Sequence, residues 1–127
     1  TMPLVRIWMR SGRPPAGVKA IVDAVHRALV EAVSAPADGK FQVITEHGPE
    51  GLVHPPSYMG MPKSDGIVVI QVTMNAGRTV ELKRALYAKI ADLLAGAGVS
   101  REDIVISLVE VPKENWSWGG GEMTYLK

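Results

Sequence analysis

Apolar residues recur along this chain in two distinct periods. Val5, Ile7 and Met9 alternate with Arg6, Trp8 and Arg10, the two-residue period of a strand with one face in a core. Ser11-Gly12-Arg13-Pro14-Pro15 turns the chain, and proline suits the first turn of a helix. Val18, Ile21, Val22, Val25, Leu29 and Val33 then form one stripe at helical spacing. This predicts a helix over Pro15–Val33 that stops before Pro36. Ala37-Asp38-Gly39 leads into a second strand, Phe41–His47. Residues 48–66 are rich in Gly, Pro and Ser and read as a long connection, with a short irregular element near Leu52 and Val53. Long ordered loops often carry function.

The pattern then starts again. Residues 67–74 are nearly all β-branched or apolar, which predicts a central strand buried on both faces. Asn75-Ala76-Gly77-Arg78 turns it, and Thr79 is placed to cap a helix. Leu82, Leu86, Ile90, Leu93 and Leu94 form that helix's stripe, ended by Gly96 and Gly98. Residues 100–103 lead into a fourth strand, 104–111, and a turn-rich tail closes with a short strand expected at 123–126.

The two halves repeat one another. Val5-x-Ile7-x-Met9 with Gly12-Arg13-Pro14 returns as Ile70-x-Val72-x-Met74 with Gly77-Arg78-Thr79. Two tandem β-α-β units predict an α/β (α+β) fold: a four-stranded sheet with two helices on one face. The expected organisation is one domain over residues 1–127, with units 3–47 and 66–111 and a tail, 112–127. The sheet's other face is left bare and apolar, so closed homo-oligomerisation is expected, with the tail completing the interface.

Composition narrows the partners. With 46% hydrophobic and 21% charged residues, the chain has ordinary soluble composition. A net charge of +1 gives no field of one sign, so neither nucleic acid nor a membrane is an expected partner. The absence of cysteine excludes disulfides, thiolate metal sites and cysteine nucleophiles. No apolar run reaches the ~20 residues that span a bilayer, and the first residues lack signal-peptide order. A cytoplasmic protein that handles a small molecule is the expectation. His26, His47 and His54 have no local ligand spacing, so no metal site is expected. His26 reads as a helix histidine with its ring satisfied. Gly119-Gly120-Gly121 lacks Walker spacing and a following helix, and reads as a turn.

The candidate chemistry sits at the start. Met2-Pro3 opens the first strand, and removal of Met2 as an initiator leaves Pro3 with a free secondary amine. An exposed α-amine titrates near pH ~7.7–8.0, and burial or a nearby cation lowers it. Such an amine is a general base at neutral pH without any histidine or cysteine. While Thr1-Met2 stays attached, the Pro3 nitrogen is an amide and no base. Proline also suits the start of an edge strand for its own sake, since it cannot donate to a ladder.

An initiator followed by proline, two β-α-β units and no cysteine resemble the tautomerase superfamily. Within it the chain looks most like the malonate semialdehyde decarboxylase family. The resemblance covers residues 3–126 and rests on Pro3-Leu4-Val5-Arg6, Asp23-Ala24-Val25-His26, Phe41-Gln42-Val43, Ala76-Gly77-Arg78-Thr79 and Asn115-Trp116-Ser117-Trp118-Gly119. It implies a cofactor-free homotrimer acting on a small-molecule carboxylate, with Pro3 as the catalytic base or acid. Arg78 matches an arginine that binds the carboxylate, a task its planar fork suits. Trp116 matches an aromatic wall.

Two positions depart from that pattern. The decarboxylases share an acidic residue directly before the basic-aromatic-Gln start of the second strand, and here that slot is Gly39, with Asp38 one position early. Some relatives carry a second arginine just before the one matching Arg78; here Asn75 and Ala76 stand there, and Asn75 becomes a substrate-binding candidate. Decarboxylation or hydration needs a group beyond the amine, whereas keto–enol tautomerisation needs a base, a carboxylate anchor and a dry pocket. The leading expectation is therefore a tautomerase of 2-oxo acid enols. The alternatives are a malonate semialdehyde-type decarboxylase or hydratase using Asp38, and a non-catalytic trimeric binding module. Arg6 and Arg10 share one strand face and are expected to line an interface or solvent, although Arg6 is close enough to Pro3 to tune it. Trp8, Met59, Met61 and Trp118 are expected in packing or an interface, and Tyr58 has no assigned place.

Overall fold

The computed structural model describes residues 2–126. Its elements run β1 (Leu4–Arg10), α1 (Pro15–Val33), β2 (Phe41–His47), β3 (Ser57–Tyr58), β4 (Met61–Pro62), β5 (Val68–Asn75), α2 (Val80–Gly96) and β6 (Ile104–Val111). The main sheet has the order β2-β1-β5-β6. β2 runs parallel to β1 and β6 parallel to β5, as two β-α-β units require. β1 and β5 join the units antiparallel, with Ile7 opposite Ile70 and Leu4 opposite Thr73.

The core lies between one face of this sheet and both helices. Val5, Ile7 and Met9 from β1 and Val68, Ile70, Val72 and Met74 from β5 meet Ile21, Val25, Ala28 and Leu29 of α1 and Leu86, Ile90 and Leu94 of α2. Of the expected helix stripes, Ile21, Val25, Leu29, Leu86, Ile90 and Leu94 are fully buried, Val18, Val22, Val33 and Leu93 are half-buried, and Leu82 is exposed because it lies in the first turn of α2. Thr79 caps α2, its hydroxyl accepting the Leu82 N–H at 3.2 Å. α1 ends on Ser34 in the left-handed region at φ 59°, just short of Pro36.

The repeat extends to backbone conformation. Gly12 and Gly77, at matching positions after β1 and β5, take φ of 124° and 121°. L-residues rarely adopt that region, so glycine is required at both turns.

Three expectations change. The connection over residues 48–66 holds a small hairpin, β3 and β4, closed by Met59 and Gly60, both at positive φ. Two-residue hairpin loops favour such backbones, and strands this short leave no alternation to read. Residues 123–126 form a turn in place of a strand, with the Leu126 N–H on the Met123 carbonyl at 3.0 Å. The tail folds on itself there, Thr124 Oγ1 accepting the Trp118 N–H. β5 is fully buried on its helix face only: Val69, Gln71 and Thr73, on the other face, are half-buried, because no helix packs there. On that face Phe41 and Val43 are 50% and 51% exposed, and Arg6 is exposed.

The long connection is fastened at the far end of the sheet from Pro3. Arg10 Nε donates to the Leu52 carbonyl at 2.8 Å, and Arg13 Nη2 to the Gly66 carbonyl at 2.7 Å. Asp103 is buried and accepts both the Ser64 N–H at 2.7 Å and its hydroxyl at 2.5 Å. Removing the carboxylate orphans the backbone donor. Asp103→Ala is expected to cost roughly 1–3 kcal/mol in denaturant unfolding; a loss within experimental error would mean that this anchor holds nothing.

Candidate active site

Pro3 is buried. It lies just ahead of Leu4, which pairs with Phe41 on one side and Thr73 on the other. The start of β1 therefore lies beside the start of β2 and the end of β5. Asn75 is the last residue of β5 and only 7% exposed. The Trp116 indole N–H donates to Asn75 Oδ1 at 2.6 Å. An indole nitrogen can only donate, so this bond fixes which amide atom is oxygen and turns Nδ2 the other way. That Nδ2 is buried and has no acceptor among the described residues.

Buried polar atoms are nearly always paired, so each exception needs a cause. The unpaired buried side-chain atoms among the described residues are Gln42 Oε1, Asn75 Nδ2 and Trp118 Nε1. All three lie at the Pro3 end of the sheet. Gln42 pairs with Val5 in the ladder. Trp118 packs on Phe41 at 5.1 Å between ring centroids and stacks on Trp116 at 4.7 Å.

The matching positions at the other end of the sheet are satisfied. Under the repeat, Arg10, Arg13 and Asp103 correspond to Asn75, Arg78 and Asp38. The first three are the residues that fasten the long connection. Asp38 is exposed in its turn. One end of the molecule is thus closed by its own hydrogen bonds, while the Pro3 end retains a buried donor that no acceptor among the described residues meets.

Other candidates are placed as follows. Arg78 is half-buried and Nη1 donates to the Asn75 carbonyl at 3.0 Å, which ties it to the turn that carries the free amide. The Lys83 hydrogen bond, with a smaller effect from the Arg78 charge, holds Glu110 below the usual carboxylate range. Arg6 points from the bare face. His26 Nε2 donates to the Ala37 carbonyl at 2.9 Å, the satisfied ring expected of it. Tyr58 is exposed on the hairpin. Among the described residues no group of three His, Cys, Asp or Glu is arranged to hold a metal ion. No described helix is long and apolar enough to cross a membrane.

Two residues escaped sequence reasoning. Tyr125 lies in the tail, and its hydroxyl accepts the Met2 N–H at 2.9 Å. The chain's last turn thus comes back over its first residues, and a tyrosine in a segment misread as a strand gave little warning. Pro36 is the second. A Cβ built on Gly39 would stand 3.1 Å from Pro36 Cβ and 2.8 Å from Met2 Cε, so Met2 lies in the space above Gly39. Lys40, next along, bonds Asp23 on α1 at 2.8 Å. Together with Lys19 it lowers the Asp23 carboxyl to about 2.

Chemically, this end offers a proline nitrogen at a buried strand start, an unpaired amide donor, stacked indoles and an arginine one turn away. Comparison with known proteins gives the family. A family model described as tautomerase enzyme matches residues 39–119, and a second with the same description matches residues 3–60. A probable tautomerase of Bacillus subtilis strain 168, YusQ, is 34% identical over 99% of this chain and 100% of its own. A second from that organism, YrdN, is 30% identical over 98% and 97%. The solved FG41 malonate semialdehyde decarboxylase, inhibited by 3-bromopropiolate, superposes with a TM-score of 0.90 at 38% identity, covering 97% of this chain and 94% of that one. A fused 4-OT described as an asymmetric trimer shares the fold at a TM-score of 0.78 and 24% identity, covering 97% and 98%. The matches span nearly the whole length and agree with the two β-α-β units: this chain belongs to the tautomerase family.

Proposed function

We propose that this tautomerase-family enzyme interconverts the enol and keto forms of a 2-oxo acid, using the nitrogen of Pro3 in the form whose chain starts there. The amine takes the proton from the enol hydroxyl and delivers it to C3, so the C2=C3 bond becomes C2=O and nothing is oxidised or reduced. The observation that carries the reading is the unpaired Asn75 Nδ2, buried beside the strand end that faces Pro3. A substrate carboxylate or carbonyl oxygen supplies the missing acceptor. Arg78 has guanidinium N–H groups beyond the one that meets Asn75, and adds positive charge for the carboxylate. Trp116 holds the amide in place and excludes water.

A malonate semialdehyde-type decarboxylase is the second reading, favoured by the 38% identity to such an enzyme. Its acid is missing at Gly39, and Asp38 is exposed. We further read the protein as a cytoplasmic homotrimer. The apolar face around Phe41 and Val43 supports a partner copy, as does the buried Trp118 N–H without an acceptor. The fused 4-OT relatives of this fold are trimers.

Steady-state ketonisation of phenylenolpyruvate by protein beginning at Pro3, checked by mass spectrometry, tests the first reading. Pro3→Ala is expected to cost about 10²–10⁴ in kcat/KM, the usual worth of a general base. Asn75→Ala is expected to cost roughly 10- to 100-fold, as for a lost hydrogen bond to a charged group. Protein retaining Thr1-Met2 is expected to be inactive. Turnover undiminished in Pro3→Ala would reject the assignment. Release of carbon dioxide from malonate semialdehyde, lost in Asp38→Asn, would favour the second reading. Sedimentation is expected to give the mass of three copies, and a monomer would remove the role given to the bare face.

A further inference from the structure

Gly39 is buried, and its backbone is not in the region that demands glycine. What keeps a side chain out is the occupant of the space above it. A Cβ there would lie 2.8 Å from Met2 Cε and 3.3 Å from Met2 Cγ, so the methionine arm lies along the face of Gly39. Pro36 walls the same space. At its other end the Met2 residue is polar, its N–H meeting the Tyr125 hydroxyl at 2.9 Å. Met2 is bonded directly to the Pro3 nitrogen. In the form that starts at Pro3, the volume it leaves therefore adjoins the reacting amine. That volume has a hydroxyl at one end and an apolar slot, the length of an unbranched side chain, over Gly39 and Pro36.

We propose that this slot receives the C3 substituent of the substrate, and that the enzyme takes 2-oxo acids bearing an unbranched apolar chain of about four heavy atoms, matching the methionine arm. This rests on the tautomerase reading above and adds its substrate class. The logic is one of filling. A three-carbon acid leaves the slot empty, and a carboxylate at position 39 would put charge into it. Glycine at this position opens the room that an acidic side chain would occupy. The site thereby exchanges a polar group for contact area with the substrate.

The test compares 2-oxobutanoate with 2-oxoheptanoate, whose C3 substituents are methyl and butyl, by proton NMR of C3 exchange in heavy water. In each turnover the amine removes a C3 proton to form the enol and a deuteron returns to C3. For protein beginning at Pro3, kcat/KM is expected to be roughly tenfold or more higher for 2-oxoheptanoate. Gly39→Val is expected to bring the ratio of the two close to one. Equal kcat/KM for the two acids, or a ratio unchanged in Gly39→Val, would overturn the slot. Binding of the unreactive acids heptanoate and butanoate, followed by tryptophan fluorescence, reads the slot without turnover. Heptanoate is expected to bind about tenfold tighter, and Gly39→Val to abolish the difference. Absence of exchange with both oxo acids while that binding difference persists would contradict the tautomerase reading and leave the slot standing. Equal binding of the two would overturn the slot.

Discussion

The antiparallel seam between β1 and β5 is the constraint from which the rest follows. Each β-α-β unit alone is a pair of parallel strands and one helix, too small to enclose a core. Joined along β1 and β5, with Ile7 against Ile70, the units share one apolar face under two helices. An antiparallel seam also sets the beginning of one strand beside the end of the other. This sets Pro3, just ahead of Leu4, beside the end of β5 that carries Asn75, at an end where β2 also begins.

The same symmetry produces two such ends, and the chain treats them differently. At one, arginine and aspartate side chains are consumed in holding a long connection to the sheet. At the other, Asp38 is exposed, and the Asn75 amide is held by an indole at its oxygen while its nitrogen has no acceptor among the described residues. The first end is committed to holding the chain, and the second is the end to which the proposed function assigns binding. An unpaired buried donor costs the folded protein roughly 1–3 kcal/mol. A ligand that supplies the acceptor recovers that cost on binding.

Most of the fold was legible because it rests on long periodic segments. The α1 stripe from Val18 to Val33 marks a helix and the β-branched run of β5 a strand, although that run did not reveal that only one of its faces is fully buried. The repeat of Gly12-Arg13 as Gly77-Arg78 reveals two β-α-β units and one four-stranded sheet, but not their antiparallel join along β1 and β5. The hairpin at 57–62 and the tail were not legible. Strands of two residues have no period, and a tail that folds on its own Thr124 hydroxyl is governed by contacts that no local pattern encodes. At the candidate site, position and motif nominate Pro3 and Asn75. That Asn75 would be locked by Trp116 depends on an indole from a different segment arriving at its oxygen, which spacing does not reveal. Tyr125 and Pro36 were missed for the same reason.

The central claim is that the Pro3 nitrogen works as a base in a dry enclosure. Its most direct test is a nitrogen NMR titration of Pro3 in protein that begins at that residue. Burial of Pro3 disfavours the charged amine, so the midpoint is expected below the ~7.7–8.0 of an ordinary α-amine. A midpoint above that range would mean a protonated nitrogen at neutral pH, which contradicts the base and would assign the site to acid chemistry.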